Sequence, residues 1–138
     1  MTNPFNLEYS TSLSRAFEAA LSNAGSDSWK LHRLGLDLET VDDDDLSLSM
    51  DLIAEEVEEF FEAVESFSKA DVTKELCDCL VVLLRFAVKY DLPINEAYKR
   101  VYENNMGKAK YISVREDGKV VKPFNYPKVK LDDLFDGA

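Results

Sequence analysis

Two pairs of carboxylates have a spacing that suits metal chemistry. Glu56 and Glu59 are three residues apart in a segment with helical periodicity, and Glu75 and Asp78 repeat this spacing in the next such segment. Residues at i and i+3 share one face of a helix, so the members of each pair are neighbours. Fifteen residues separate Glu59 from Glu75, enough for a short turn and an antiparallel return. The spacing therefore predicts that the two pairs face each other.

The position of each acid around its helix separates these four residues from ordinary surface charges. At about 100° per residue, Glu56 projects inside the apolar arc of its helix and Glu59 lies at the edge of that arc. The other glutamates of this helix fall together on the solvated side: Glu55, Glu58, Glu62 and Glu65. In the following helix, Glu75 projects among apolar residues and Asp78 borders a narrow polar strip. That strip contains Lys74, Arg85 and Lys89.

Two interpretations of these acids remain open, because a carboxylate in an apolar stripe must be paired, protonated or bound to metal. In the first, a hard divalent cation such as Mg²⁺, which prefers oxygen ligands, offsets the repulsion between them. In the second, Glu56 and Glu75 bond Lys, Arg or Tyr side chains in the core, and Asp78 pairs with Lys74 and Arg85. A di-iron bundle is excluded, because it requires Glu-x-x-His on two helices and the chain has one histidine.

Helical periodicity places the acids on the second and third of four predicted helices. These extend from about Ser12 to Ala24, from Ser47 or Ser49 to Phe67, from Ala70 to Tyr90, and from Pro93 to about Gly107. The run Asp42 to Asp45 suits the positive end of the second helix dipole. Further along, Asp117-Gly118 between alternating segments predicts a hairpin. The fold class is therefore all-α with a short C-terminal β-hairpin or extended arm.

The third predicted helix is apolar on nearly all sides between Leu76 and Val88, so neighbours must cover it. The other three helices and a short hairpin are too few to do this within one chain. We therefore expect a homo-oligomer, with a dimer as its minimum unit. The alternative is that residues 25–47 fold back over this helix and leave a monomer.

Composition bounds the class of protein. The 138 residues include 16 Lys and Arg against 27 Asp and Glu, a net charge of -11, which argues against binding nucleic acid or an anionic membrane. No apolar run reaches the ~18 residues of a membrane span, and we expect no signal peptide. Cys77 and Cys79 are two residues apart on a helix, which excludes a disulfide between them. We expect a single cytoplasmic domain over residues 1–138.

The segment Leu52-Ile-Ala-Glu-Glu-Val-Glu-Glu-Phe, followed by Glu75-Leu-Cys-Asp78, resembles the EExxE and ExxD motifs of the all-α nucleoside triphosphate pyrophosphatases. This is the MazG-like superfamily, which includes dimeric dUTPases and phosphoribosyl-ATP pyrophosphatases. The later Asn-Asn-Met-Gly-Lys and Asp-Gly-Lys-Val-Val-Lys segments extend the resemblance over roughly residues 50–127. It implies a MazG-like four-helix bundle with a helical core over about 12–107 and an arm over 108–138.

The resemblance also implies residue roles. Glu56, Glu59, Glu75 and Asp78 are expected to hold Mg²⁺, for which Mn²⁺ could substitute, and Glu55 to help position water. The expected reaction cleaves a nucleoside triphosphate between the α- and β-phosphates, in a homodimer or homotetramer. The expected substrate-binding residues are Asn105, Lys108, Lys119, Lys122 and Tyr126.

Ordinary structural roles are alternatives for several of these residues. Lys108 is also a cation favoured at a helix C-terminus, and Lys119, Lys122 and Tyr126 fit a solvated hairpin equally well. Trp29 and His32 could stack on a base, although such residues more often anchor a loop. At the level of the whole protein, the alternatives are a narrower dUTPase-like or phosphoribosyl-ATP pyrophosphatase-like enzyme, or a non-catalytic helical interaction or regulatory module.

Overall fold

The computed structural model describes residues 6–23, 35–111, 113–121 and 125–135. Its elements are four helices, a two-stranded antiparallel sheet and a short 3-10 helix. They are α1 (Leu7–Asn23), α2 (Asp43–Glu65), α3 (Lys69–Lys89), α4 (Ile94–Lys108), β1 (Ser113–Val114), β2 (Val120–Val121) and the 3-10 helix Asp132–Leu134. The predicted fold class is therefore confirmed: the described chain is mostly helical, with a hairpin near its C-terminus. Trp29, His32 and Lys122 lie outside the described residues.

The chain divides into two compact units, one ending at Leu92 and the other beginning at Pro93. The first contains α1, α2 and α3, and the second contains α4, the hairpin and the 3-10 helix. The expectation of a single domain stays a prediction. No helix in the described ranges combines the length and the hydropathy needed to cross a membrane.

Polar caps fix where three of the helices begin. The N-cap residues Asn6, Asp42 and Ser68 each accept a hydrogen bond from the backbone N–H three residues later, at 2.9, 3.0 and 3.2 Å. Such caps satisfy backbone donors that have no partner within the helix. Consequently α1 and α2 begin earlier than periodicity predicts, at Leu7 and Asp43. The predicted position of the Asp run at the positive end of the second helix is confirmed: Asp42 caps α2, and the three acids after it occupy the first turn.

A tight turn joins α2 to α3. Helix α2 ends at Glu65, Ser66 occupies the C-cap position, and Phe67 has a left-handed backbone with φ 57°. The Phe67 side chain is 91% exposed. The predicted end of the second helix at Phe67 is therefore wrong, because α2 ends two residues earlier, at Glu65. The turn reverses the chain so that α3 returns beside α2.

Helix α3 is the centre of the first unit and packs against both α1 and α2. The buried apolar residues come chiefly from its second half: Cys79, Val82, Leu84, Ala87 and Val88. Several other apolar residues of α3 are more than a third exposed, among them Leu76 at 46%, Val81 at 46% and Leu83 at 49%. The first unit thus covers only part of this helix.

A buried polar cluster ties the start of α2 to the end of α3. Lys89 Nζ donates a hydrogen bond to Ser49 Oγ at 3.1 Å, and Ser49 Oγ lies 3.2 Å from Tyr90 Oη. The backbone N–H of Leu36 donates to the Lys89 carbonyl at 2.8 Å. Lys89, which periodicity places on the polar strip, is buried instead. These bonds fix the two helices against each other at the end opposite the turn.

In the second unit, the chain after the hairpin returns along α4. Arg100 Nη1 and Nη2 donate to the two carboxylate oxygens of Asp133 at 2.6 and 2.9 Å, and Nη1 also donates to the Lys130 carbonyl at 3.2 Å. One turn further along α4, Asn104 Nδ2 donates to the Pro127 carbonyl at 3.0 Å. The C-terminal segment is therefore attached to α4 at two successive turns.

Candidate metal centre

Three carboxylates from α2 and α3 converge. Glu56 of α2 and Glu75 and Asp78 of α3 each present a carboxylate oxygen, and these three oxygens all lie within 4.8 Å of one another. The antiparallel return through the α2–α3 turn brings them together. This geometry agrees with the predicted meeting of the two pairs for three of the four acids.

Two oxygens of the converging acids are buried without a hydrogen-bond partner in the described chain. Glu56 Oε2 and Glu75 Oε2 are both inaccessible to solvent, and neither has a hydrogen-bond partner among the described residues. Leaving a buried carboxylate oxygen unpaired is costly. Burial raises the pKa of Glu56 above its ordinary value, and the neighbouring acids Glu59, Asp78 and Glu75 raise it further. The cluster therefore concentrates negative charge, and two of its buried oxygens have no partner among the described residues to offset it.

Glu59 is a neighbour of this group. A protonated Glu56 side chain would hydrogen-bond to Glu59, so the two carboxyls are close, but Glu59 is not one of the three mutually adjacent acids. Glu55 is exposed on α2, as its predicted angle on the helix requires. The two acids thus differ in position: Glu59 adjoins Glu56 at the border of the cluster, and Glu55 is exposed to solvent.

A side-chain-to-backbone hydrogen bond fixes the height of α3 against α2 at the cluster. The buried thiol of Cys79, next to Asp78, donates to the Glu56 carbonyl at 3.3 Å. Burial raises the pKa of this thiol, and the nearby carboxylates raise it further, so the neutral, donating form is favoured. Sequence reasoning missed this contact. The available signal was a cysteine one residue after the second acid of an ExxD motif.

Lys74 lies at the outer edge of the cluster. Its Nζ is 2.7 Å from Asp78 Oδ2 and 3.4 Å from Glu75 Oε1. The second of the two sequence interpretations is therefore correct in one part, since Asp78 does pair with Lys74. That interpretation does not account for the buried Oε2 atoms of Glu56 and Glu75, which have no hydrogen-bond partner in the described chain.

The donor set fits a hard divalent cation. All three converging groups are carboxylates, and oxygen ligands are those that Mg²⁺ and Mn²⁺ prefer. Two buried oxygens of the group have no hydrogen-bond partner in the described part of the chain. A cation bound among the three acids would offset both the missing hydrogen bonds and the mutual repulsion. Glu56, Glu75 and Asp78 are the residues that could hold it, with Glu59 at their border.

The residues expected to bind substrate lie in the second unit. Asn105 is exposed and Lys108 half-buried in the last turn of α4, and Lys119 is exposed beside the hairpin turn. Tyr126 packs on α4 instead: its ring contacts Gly107, and its centroid is 6.2 Å from that of Tyr111. Lys122 is not within the described ranges. Asn105, Lys108 and Tyr126 therefore gather near the end of α4, and Lys119 is on the hairpin.

Gly107 is a residue that sequence reasoning used only as a helix end. A Cβ at this position would lie 3.0 Å from Tyr126 Cζ and closer still to the Tyr126 hydroxyl oxygen, far inside an ordinary contact. Glycine is thus required here by the close approach of the tyrosine ring, not by backbone dihedral angles. The signal in the sequence was a glycine within a helix, which often marks such an approach.

Residues 45–112 match the family model described as the MazG nucleotide pyrophosphohydrolase domain. The match covers about half of the chain and contains the carboxylate cluster, Asn105 and Lys108. Lys119, Lys122 and Tyr126 lie beyond its end. No curated protein is similar enough to this chain to count as a match.

Proposed function

Because residues 45–112 belong to the MazG nucleotide pyrophosphohydrolase domain family, we propose that the protein is a Mg²⁺-dependent nucleoside triphosphate pyrophosphohydrolase. The proposed reaction cleaves an NTP or dNTP between the α- and β-phosphates and releases a monophosphate and pyrophosphate. The observation that carries the proposal is the convergence of Glu56, Glu75 and Asp78 within 4.8 Å, inside the matched segment.

Each acid has a proposed role. Glu56, Glu75 and Asp78 hold the ion, and Glu59, whose carboxyl adjoins Glu56, is the fourth ligand. When bound, Mg²⁺ neutralises the charge that develops on the phosphate oxygens of the substrate. The carboxylates accept hydrogen bonds from the attacking water and hold it in line with the scissile bond. Glu55, exposed on α2, helps to position this water.

Five residues of the C-terminal part of the chain are proposed to bind the substrate: Asn105, Lys108, Lys119, Lys122 and Tyr126. Lys108 supplies a positive charge and Asn105 an amide donor, both in the last turn of α4, and both are groups that bind phosphate oxygens. Lys119 adds positive charge beside the hairpin turn, and Tyr126 lines the end of α4. Lys122, which lies outside the described residues, is proposed to add a further positive charge. An acidic metal centre needs such cations, because carboxylates alone repel a polyphosphate.

The test of this function is the identity of the products. Metal-free protein is incubated with a panel of NTPs and dNTPs, including dUTP, and with phosphoribosyl-ATP, with and without Mg²⁺, and the products are separated by chromatography. We expect monophosphate and pyrophosphate, formed only with the metal ion. A diphosphate with orthophosphate would contradict the proposed bond, and no turnover on any member of the panel would favour a non-catalytic module. Turnover of dUTP or phosphoribosyl-ATP alone would indicate one of the narrower enzymes.

We also propose a homodimer or homotetramer as the working assembly. The supporting observation is the exposure of apolar residues on α3 together with Phe61 and Val64 of α2, which are 61% and 45% exposed. Large exposed apolar patches mark association sites, and exposed apolar residues on two packed helices could form such a patch. Sedimentation at micromolar protein concentration tests the assembly, and a single species near 15.6 kDa would contradict it.

A further inference from the structure

We propose that Lys74 is an internal counter-ion of the carboxylate cluster, which occupies its outer edge when no metal ion is bound and competes with the divalent cation for the same acids. The inference rests on the metal site of the proposed function and adds a regulatory residue to it. It concerns how tightly the cluster binds a free cation, which neither the family match nor the spacing of the acids predicts.

The oxygens of the cluster differ in their partners. The Lys74 ammonium contacts Asp78 Oδ2 at 2.7 Å and Glu75 Oε1 at 3.4 Å. The buried oxygens Glu75 Oε2 and Glu56 Oε2, in contrast, have no hydrogen-bond partner among the described residues. Glu75 thus has one oxygen in contact with the lysine and one buried oxygen without a partner in the described chain.

Exposure shows which of the partners can move. The Lys74 side chain is 67% exposed, whereas those of Glu75 and Asp78 are 19% and 34% exposed. A lysine head group on a flexible four-carbon stem can leave an ion pair without disturbing the helix. The two carboxylates are less exposed than the ammonium, so a change in occupancy of the cluster should move the lysine more than it moves the acids.

Charge gives the exchange its direction. Without metal, the ammonium offsets part of the repulsion among Glu56, Glu75 and Asp78, with Glu59 beside them. A divalent cation bound among the acids neutralises them more completely, and it repels an ammonium held by two of them. The free energy that Lys74 contributes to the metal-free cluster is therefore subtracted from the free energy of metal binding. Lys74 weakens the affinity of the site for free Mg²⁺.

The experiment is calorimetric titration of the metal-free protein with MgCl₂, and separately MnCl₂, at constant ionic strength. Three variants accompany the wild type. Lys74→Gln removes the ammonium, Lys74→Arg keeps a cation at this position, and Lys69→Gln makes the same change of net charge at the start of the same helix. We expect Lys74→Gln to lower the Kd for Mg²⁺ by about two- to fivefold, the factor that corresponds to an exposed ion pair.

The controls separate contact from net charge. Lys74→Arg is expected to keep a Kd close to that of the wild type, and Lys69→Gln to shift it by less than Lys74→Gln does. In EDTA, Lys74→Gln should melt at a lower temperature than Lys69→Gln, because its acids lose their counter-ion. On going from EDTA to saturating Mg²⁺, the melting temperature of Lys74→Gln should rise by more than that of Lys69→Gln.

Failure of this inference is distinct from failure of the metal site. If the wild type binds Mg²⁺ and Lys74→Gln binds it equally or more weakly, Lys74 is a support for Asp78 and the competition is refuted. If Lys74→Gln and Lys69→Gln tighten binding equally, the effect is one of net charge alone and the inference is again refuted. Absence of Mg²⁺ and Mn²⁺ binding in all four proteins would refute the metal site and the inference together.

Discussion

Cys79 donates its thiol hydrogen to the backbone carbonyl of Glu56 across the interface of α3 and α2, with 3.3 Å between sulfur and oxygen. The bond joins the residue adjacent to Asp78 to Glu56, and both Asp78 and Glu56 carry carboxylates of the cluster. Because it acts on a backbone atom, it fixes the height of one helix against the other without using a charge. The separation of the three carboxylate oxygens depends on that height.

The first prediction is that Cys79→Ala weakens both the fold and the cluster. The substitution removes a buried hydrogen bond and leaves a small cavity, so we expect a loss of about 1–2 kcal/mol in the free energy of unfolding. Chemical denaturation measures this loss, and calorimetry should show weaker Mg²⁺ binding. Cys77→Ala is the matched control, because Cys77 is exposed two residues earlier on α3. Equal metal affinity in both variants would show that the bond has no role in positioning the acids.

The second prediction concerns Glu56 and pH in the absence of metal. Burial and the neighbouring acids raise the pKa of Glu56 in the folded protein above its ordinary value of 4.5. A carboxyl whose pKa is raised by folding binds its proton more tightly in the folded protein than in the unfolded chain. The free energy of unfolding is therefore highest below the unfolded pKa, and it falls as the pH rises through the folded pKa. In EDTA at neutral pH, Glu56→Gln should therefore melt at a higher temperature than the wild type, and the difference should shrink toward pH 4.

Mg²⁺ should reverse the order of the same two proteins. The wild type gains free energy from binding, about 2.7 kcal/mol at 100 times the Kd, whereas Glu56→Gln lacks a ligand and gains less. Glu62→Gln, on the exposed side of α2, is the control for loss of one negative charge. A Glu56→Gln variant that is less stable than the wild type in both EDTA and Mg²⁺ would contradict the claim that the ionised Glu56 carboxylate destabilises the metal-free protein.

The third prediction is that activity depends on the three converging acids. Glu75→Gln and Asp78→Asn preserve side-chain shape and remove charge, so the fold should survive. We expect turnover to fall by at least about 100-fold, since loss even of groups that only support metal ligands costs 10- to 100-fold. Coupled pyrophosphate release measures the rate, and Glu58→Gln on the exposed side of α2 is the control. Normal turnover in either variant would disprove its assignment as a ligand.

The fourth prediction concerns Gly107 and Tyr126. Alanine is normally a better helix residue than glycine by about 1 kcal/mol, but a Cβ at Gly107 would overlap the Tyr126 ring. We expect Gly107→Ala to destabilise the wild type by about 1–3 kcal/mol, as overpacking does. In a Tyr126→Ala background the same change should become stabilising. Equal effects in the two backgrounds, measured by denaturation as a double-mutant cycle, would show that the ring does not rest on Gly107.

Sequence predicted the parts of the fold that depend on local periodicity. The four helices follow from the 3.6-residue repeat, and the hairpin follows from Asp117-Gly118, where Gly118 has φ 86°. The start of α1 was missed because Asn6 lies outside the apolar pattern, and it acts as a cap through one side-chain oxygen. The end of α2 was missed because Phe67 fits the next position of the apolar stripe.

The candidate site shows the same division. The angular positions of Glu56 and Glu75 within apolar stripes distinguish them from the other acids by sequence alone, because a buried carboxylate violates the pattern. Angle alone does not rank Glu59 against Asp78, since both lie at the edge of a stripe; the distance across the helix pair does. The attachment of the chain after the hairpin to α4 by Arg100 and Asp133 joins residues 33 positions apart and leaves no periodic trace.

The short turn between α2 and α3 has a consequence for how the cluster forms during folding. All three converging carboxylates lie between residues 56 and 78, on two helices that are consecutive in the chain. Bringing them together closes only a short loop, so these contacts can form early and rapidly. The acids can therefore meet, and a metal ion can bind them, without waiting for contacts between more distant parts of the chain.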